Sequence, residues 1–353
     1  MSMNKKKLLY IVEAMGGGVF TYIVELANQL ADTYEIYILY CVRDQTPQDY
    51  LSYFDSRITM IESQHMTRSI NPTSDLKAYL ELKKIAKQIQ PDLIHLHSSK
   101  AGVVGRWAFN GNKTPMFYTP HGFSFLMKDQ SKLKIFIYKA IEKVCALRKC
   151  KIISCSAGEH RESLTLTSNA DYVSNGINIK SLDKFLDKEE KSELSVFTLG
   201  RICYQKNPSL FNKIALAMPH INFIWIGDGE LREELTAPNI KVKGWLEREK
   251  ALEIATKSSI FMLTSLWEGL PISLLESMYM KKHCVVSNVI GNNDVIRSGK
   301  NGYVCDEVSD FVSSIEQIKN SQNMELSQNA HNDILREYNI GVMSKKYIEI
   351  YES

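Results

Sequence analysis

Two glutamates, Glu268 and Glu276, bracket the run Glu268-Gly-Leu-Pro-Ile-Ser-Leu-Leu-Glu276, with Gly269 and Pro271 between them. The apolar stretch just before it, Ile260-Phe-Met-Leu-Thr264, reads as a strand. Pro271 suits the first turn of a helix, where a missing N–H costs nothing. The N–H groups of Leu270, Ile272 and Ser273, with the positive end of the helix dipole, would then form an anion site. Glu276, about one turn further on, is placed to accept hydrogen bonds from a polyol. Phosphate donors beside a sugar-binding carboxylate suggest a nucleotide-sugar site. By itself the spacing also fits an ordinary capped strand-to-helix junction.

Other chemistry-bearing residues recur at similar places. Leu199-Gly-Arg-Ile-Cys-Tyr-Gln-Lys-Asn207 puts Arg201 and Lys206 in the loop after a strand. Two cations there could neutralise a departing diphosphate, Arg as a planar fork and Lys as a mobile point charge; a solvated basic loop is the plain alternative. Ile226-Gly-Asp-Gly-Glu-Leu231, containing Asp228, and Val242-Lys-Gly-Trp-Leu246, containing Trp245 and Leu246, end two more strands. Each is either a pocket wall or a simple turn, and Trp245 could equally be a packing residue. Ala14-Met-Gly-Gly-Gly-Val-Phe20 opens a helix after the first strand. Its glycines are consecutive, so the dinucleotide fingerprint is not met and a nicotinamide cofactor is poorly supported. His121 lies in Tyr118-Thr-Pro-His-Gly-Phe-Ser124, and His97, Ser98, Ser99 and Lys100 lie in Leu96-His-Ser-Ser-Lys-Ala-Gly-Val-Val-Gly-Arg106. A lone histidine is more often structural than catalytic.

These loops need a scaffold that gathers strand ends. Strand-like runs are expected at Leu8–Val12, Glu35–Val42, Leu93–His97, Met116–Thr119 and Lys151–Cys155. A second set follows at Val196–Leu199, Ile221–Ile226, Ile240–Val242, Ile260–Leu263, Cys284–Ser287 and Gly302–Val304. Helical patterns intervene, notably Val19–Ala31, Ser74–Ile89 and Lys132–Leu147. Alternation with short loops predicts an α/β chain with two Rossmann-like, doubly wound parallel-sheet domains and a cleft between them. The charged stretch within 176–195 suits a linker, giving domains at 1–180 and 181–336 and a terminal helix at 337–353. In such sheets ligands bind beyond the carboxyl ends of the strands, where the residues above fall.

The run from Glu268 to Glu276 resembles the E-x7-E motif of the retaining glycosyltransferases of family 4, which have the GT-B fold. Gly200-Arg201 with Lys206 matches that family's G-R-x4-K pattern. One departure is that many members carry E-G-F-G-L-P where this chain has Glu268-Gly-Leu-Pro271. The resemblance implies that Gly17, Gly18, Asp228, Trp245, Leu246, Gly269, Leu270, Pro271, Ile272 and Glu276 bind the donor. It implies that Arg201 and Lys206 stabilise the diphosphate, and that Glu268 and His121 hold the transferred sugar. The "HSSKAG" stretch resembles that of enzymes that build capsular or O-antigen-like polymers on a lipid carrier, so His97, Ser98, Ser99 and Lys100 would face the acceptor. The last helix would cross back onto the first domain. A metal-independent retaining transfer from a UDP-sugar to a polyprenyl-diphosphate-linked sugar is the implied reaction. A nucleotide-sugar 2-epimerase and a non-catalytic nucleotide-sugar-binding partner are the rivals.

Composition narrows the setting. The 353 residues are 44% hydrophobic and 24% charged, with a net charge of +3. That is a soluble globular balance, too weakly basic to argue for nucleic acid. No apolar run reaches the roughly 18–20 residues of a membrane span, and the start lacks a cleavage site, so a signal peptide is not expected. Seven scattered cysteines, an odd number without a C-x-x-C pair, suit a reduced cytoplasmic protein. No D-x-D pair, zinc-ligand spacing, Walker loop or G-x-S-x-G is present, and no metal site is expected. From Lys128 to Lys151, eight basic residues interleave with Phe125, Leu126, Phe136, Ile137 and Tyr138 or flank them. Such a segment could lie on an anionic bilayer, placing the protein on the inner face of the plasma membrane; a helix packed on the sheet with solvated lysines is the alternative.

Overall fold

A computed structural model describes residues 5–13, 15–43, 45–67, 71–186, 194–321 and 324–353. The chain divides into two compact units, 1–175 with 340–353, and 176–339. The divisions thus fall at 175/176 and 339/340, against the 180/181 and 336/337 expected from the charged stretch.

Seven described strands form the sheet of the first unit: β1 (Lys7–Val12), β2 (Glu35–Tyr40), β3 (Thr59–Glu62), β4 (Leu93–His97), β5 (Met116–Thr119), β6 (Lys151–Ser154) and β7 (Ala170–Tyr172). All pairings are parallel, in the order β3-β2-β1-β4-β5-β6-β7. The two outer strands, β3 and β7, were not anticipated. Both are short edge strands whose residues are intermediate or exposed, so neither shows the apolar run that marks a buried strand.

Strand alternation splits the core in two. Leu8, Tyr10 and Val12 of β1 join a cluster on one face, and Leu9 and Ile11 join a cluster on the other. The first face is covered by the helices Gly17–Leu30 and Ile340–Glu352. Met343, Tyr347 and Tyr351 tie that terminal helix to β1 and β5. The opposite face carries the helices Pro72–Ile89 and Ser99–Ala108.

In the second unit, β8 (Ser195–Leu199), β9 (Asn222–Ile226), β10 (Ile240–Val242), β11 (Ile260–Leu263), β12 (His283–Ser287) and β13 (Tyr303–Cys305) form a parallel sheet. The order is β10-β9-β8-β11-β12-β13. Alternation works as before: Val196, Ile260 and Met262 face one cluster, and Phe197, Phe261 and Leu263 the other. In each sheet the strand order reverses once, between β1 and β4 and between β8 and β11. That switch leaves a crevice at the strand ends where connecting loops diverge.

The centre of the expected linker, 187–193, lies outside the described residues. Its flank is not exposed tether, because Leu182 and Phe185 are buried in the core of the second unit.

Candidate active site

At the switch point of the second sheet, the loop after β8 and the loop after β11 are laced together. Lys206 Nζ donates to Glu268 Oε1 at 2.6 Å. Gln205 Nε2 donates to the Trp267 carbonyl at 3.0 Å and lies 3.4 Å from Glu268 Oε2. Leu266 N donates to the Gln205 carbonyl at 2.8 Å, and Thr264 Oγ1 donates to that of Lys206 at 2.8 Å. The side chains of Lys206 and Glu268 are only 16% and 8% exposed. Arg201, half-buried on the same loop, has no partner among the described residues.

The helix Ile272–Tyr279 begins after Pro271, which has extended backbone (φ −71°, ψ 125°) and sits at the N-cap rather than inside the first turn. Its carbonyl accepts from Leu274 N and Leu275 N. The N–H groups of Ile272 and Ser273 have no acceptor among the described residues, and Pro271 has no side chain to cap them. This end of the helix is therefore an open donor pair. Gly291 (φ +85°) backs the loop so closely that a Cβ there would lie 2.3 Å from the Gly269 carbonyl oxygen. Glu276 lies a turn deeper and is buried. Arg248 Nε (3.0 Å) and Nη2 (2.5 Å) both donate to its Oε1, leaving Oε2 without a partner among the described residues. Arg248, from the first turn of the helix Arg248–Thr256, was missed in the sequence. It lies 28 residues before its partner, so no local spacing announces it.

The ends of β8, β9 and β10 make a continuous floor. Gly200 N donates to the Ile226 carbonyl at 3.0 Å, Ile202 N to that of Asp228 at 2.9 Å, and Trp225 Nε1 to that of Gly200 at 2.8 Å. Gly227 and Gly244 form an antiparallel bridge. A Cβ on Gly227 (φ +141°) would sit 2.1 Å from the Gly200 carbonyl oxygen, so only glycine allows this approach. The Asp228 carboxylate is occupied by Arg232 Nη1 at 2.8 Å and Gly229 N at 2.9 Å. Trp245 is 58% exposed, and Leu246 is exposed beside it.

In the first unit, Gly17 and Gly18 open the helix Gly17–Leu30, which has no side-chain cap and no acid in its first turn. Its N-terminus thus keeps its donors and positive field. His121 follows β5 in the left-handed region (φ +55°) with Gly122 (φ +94°). Glu159, fully buried and also missed in the sequence, holds this turn: its Oε1 accepts from Gly122 N at 2.6 Å and its Oε2 from Cys155 N at 2.8 Å. His121 Nε2 lies 3.1 Å from His97 Nδ1, and the Tyr22 ring meets it edge-on at 4.5 Å. Burial pushes the His121 imidazole down to about 3, so it is neutral near pH 7. His97 is held well below the usual range by burial and by the neighbouring His95 and His121. Its Nε2 is buried with no hydrogen-bond partner among the described residues.

Ser98 (φ +74°) precedes the helix Ser99–Ala108, and its buried Oγ is likewise unpartnered. Ser99 Oγ lies 2.8 Å from Ser124 Oγ, and the Lys100 ammonium pairs with Asp75. The structure thus brings Arg201, Lys206 and Glu268 to one crevice of the second unit, with Ile272 and Ser273 at the adjoining helix start. It brings His97, Ser98 and His121 to one sheet end of the first. Lys100 and Asp228 are already engaged by ion pairs. Among the described residues, no cluster of three or more His, Cys, Asp or Glu side chains is arranged to hold a metal ion.

Comparison with known proteins adds the family. Residues 16–181 match the model of Glycosyltransferase Family 4, and residues 179–333 that of Glycosyl transferases group 1. One relative is the UDP-Gal:alpha-D-GlcNAc-diphosphoundecaprenol alpha-1,3-galactosyltransferase of Escherichia coli, 28% identical over 85% of each chain. Another, from Campylobacter jejuni, is a GalNAc-alpha-(1->4)-GalNAc-alpha-(1->3)-diNAcBac-PP-undecaprenol alpha-1,4-N-acetyl-D-galactosaminyltransferase, 26% identical over 92% of each. Among solved structures, Anabaena HepE in complex with UDP and glucose superposes with a TM-score of 0.80 at 15% identity, over 98% of this chain and 99% of that one. The sucrose-phosphate synthase of Thermosynechococcus elongatus does so at 0.81 and 14%, over 99% and 98%. The chain belongs to the group 1 glycosyltransferases of family 4, with the GT-B fold of two parallel-sheet α/β domains.

Proposed function

We propose that this glycosyltransferase moves a sugar from a UDP-sugar to a polyprenyl-diphosphate-linked sugar, with retention at the anomeric carbon, during cell-surface polysaccharide assembly at the inner face of the membrane. The observation that carries the reading is the cationic crevice of Arg201 and Lys206 beside Glu268, adjoining the open N–H pair of Ile272 and Ser273. It suits a nucleoside diphosphate with a sugar attached. The Escherichia coli and Campylobacter jejuni relatives are transferases to undecaprenol-diphosphate-linked acceptors, which supports the acceptor class. The UDP-Gal donor of the Escherichia coli relative and the UDP bound in the HepE complex support the donor class.

The roles combine this geometry with what the family resemblance implies. Glu276 Oε2 accepts from the ribose hydroxyls while Arg248 fixes the carboxylate. Leu270, Ile272 and Ser273 offer their N–H groups to the phosphates, with Gly269 and Pro271 shaping that turn. Trp245, Leu246 and Asp228 border the base, and Gly17 and Gly18 present the uncapped helix start to the donor. Arg201 and Lys206 stabilise charge that grows on the diphosphate as the anomeric C–O bond breaks, an electrostatic role worth about 10²–10³ in rate per donor. The acceptor oxygen bonds to the anomeric carbon from the same face, and its proton passes to the departing phosphate oxygen. Glu268 and neutral His121 hold the sugar. His97, Ser98, Ser99 and Lys100 are assigned to the acceptor. In this reading the two cations do the work of a metal.

The test is nucleotide release from a panel of UDP-, GDP- and ADP-sugars, with and without a lipid-linked glycan extract and EDTA. UDP release that requires the lipid and survives EDTA is expected. Release without acceptor, accompanied by an epimerised free sugar, would replace transfer with epimerisation.

A further inference from the structure

The helix Lys132–Ala146 carries an apolar stripe on its outer face. The residues it buries are Glu142 and Cys145, whereas Leu133 is 69% exposed, Phe136 70%, Ile137 44% and Val144 50%. Leu147, just past its end, is 85% exposed. Its inner face is held by polar contacts: Arg106 Nη2 donates to Glu142 Oε2 at 2.7 Å and Tyr118 Oη to Glu142 Oε1 at 3.0 Å. Ile135 and Tyr138 pack against the core of this unit, whereas Leu133, Phe136, Ile137 and Val144 face away from it. At 3.6 residues per turn they fall in one stripe. Lys132, Lys139 and Lys143 run along one flank of that stripe, and Lys134 lies on the other. Beside it, Val103, Trp107, Phe136, Ile137, Ala140 and Val144 line a shallow groove of about 350 Å³. The Arg148 guanidinium lies over the Trp107 ring at 5.1 Å, at the edge of the same surface.

An exposed apolar stripe rimmed by one sign of charge marks an interaction surface. Charge selects the occupant. Between 128 and 151 stand eight basic residues against Asp129 and Glu142, and Glu142 is neutralised inside by Arg106. A second copy of this face would bring like charges together, whereas an anionic lipid surface meets both the stripe and its rim. We infer that this face docks on an anionic bilayer, with Leu133, Phe136, Ile137, Val144 and Leu147 below the headgroups and the helix lying in the membrane plane. From Leu133 to Leu147 the insertion is about 21 Å long at 1.5 Å per residue. The inference deepens the lipid-acceptor reading by naming the surface that meets the lipid, but bilayer binding itself needs neither donor nor acceptor.

Flotation with vesicles of equal parts phosphatidylglycerol and phosphatidylcholine, against pure phosphatidylcholine, tests it. The wild type should float with the anionic vesicles, and high salt should weaken this. Each basic residue near such a surface adds about a fivefold gain in partitioning. Lys132→Gln, Lys134→Gln and Lys143→Gln together should therefore weaken binding by about a hundredfold. Phe136→Ser with Ile137→Ser should reduce it roughly tenfold or more. Leu80→Ser, an exposed leucine on another helix of this unit, should change nothing. All of these positions are at the surface, and an unchanged far-ultraviolet dichroism spectrum identifies folded variants. Binding indifferent to lipid charge, or equal flotation of the Phe136/Ile137 variant, would overturn the inference. So would a change of sedimenting mass in that variant, which would assign the stripe to a second copy. UDP-sugar turnover measured alongside separates the two readings: absent flotation with intact turnover sinks only the docking, and flotation without turnover sinks only the transfer.

Discussion

Lys206 and Glu268 form an ion pair, and a bound diphosphate must compete with Glu268 for that ammonium. At 2.6 Å the pair attracts by about 6 kcal/mol gross at an effective dielectric constant of about 20. Desolvation of both groups offsets most of this, because both side chains are largely buried. Two substitutions then act in opposite directions on nucleotide affinity. Lys206→Met removes a charge-assisted contact worth about 1.5–3 kcal/mol and should weaken UDP binding about 10- to 100-fold. Glu268→Gln removes the competitor and should leave UDP binding unchanged or tighten it up to about tenfold, while turnover falls about a hundredfold. Stability gives an independent check. Breaking a buried pair by removing one partner costs about 3–5 kcal/mol, so Lys206→Met should lower the urea midpoint and the double variant should recover much of the loss. Isothermal titration with UDP, initial-rate kinetics and urea unfolding measure the three quantities. If Glu268→Gln weakened UDP binding as much as Lys206→Met, or if Lys206→Met left it untouched, the competition argument would be wrong.

Other outcomes follow from the same geometry. Arg248→Ala should weaken UDP binding about tenfold, because Glu276 loses the two donors that orient it; Arg248→Lys should fall between, and titration calorimetry reads both. The His121 imidazole, pushed down to about 3 from an ordinary 6.5, makes the folded state bind fewer protons than the unfolded state between those values. Its contribution to stability is therefore present above pH 6.5 and lost as pH falls through that window, and ¹⁵N NMR should show no His121 titration between pH 5 and 8. A titration midpoint near 6.5 in the folded protein would refute this. Arg106→Met should destabilise the first unit by about 3–5 kcal/mol, since it leaves Glu142 buried and unpaired, and adding Glu142→Gln should restore much of it in urea unfolding. Gly227→Ala should lower the melting temperature and abolish UDP binding, as its methyl would collide with the Gly200 carbonyl.

The two parallel sheets and the loops that carry chemistry were legible in the amino-acid pattern. Apolar runs such as Leu8–Val12 and Ile260–Leu263 are periodic, local and buried on both faces, so burial alone selects a strand. Gly200-Arg201, Lys206 and the Glu268–Glu276 run were legible because loop residues at strand ends answer to few packing demands. The weakly buried edge strands Thr59–Glu62 and Ala170–Tyr172 escaped because their stability comes from the ladder of a neighbour, not from their own side chains. The pairing of side chains, by contrast, arose from the folded arrangement. That arrangement joined Lys206 to Glu268 across 62 positions and His97 to His121, set Arg248 on Glu276, and set Glu159 under the turn at His121. It also engaged Lys100 with Asp75 and Asp228 with Arg232, and turned the apolar stripe of Lys132–Ala146 outward. Charged side chains choose partners by distance and burial after the backbone has folded, and neither quantity is written in the spacing of residues along the chain.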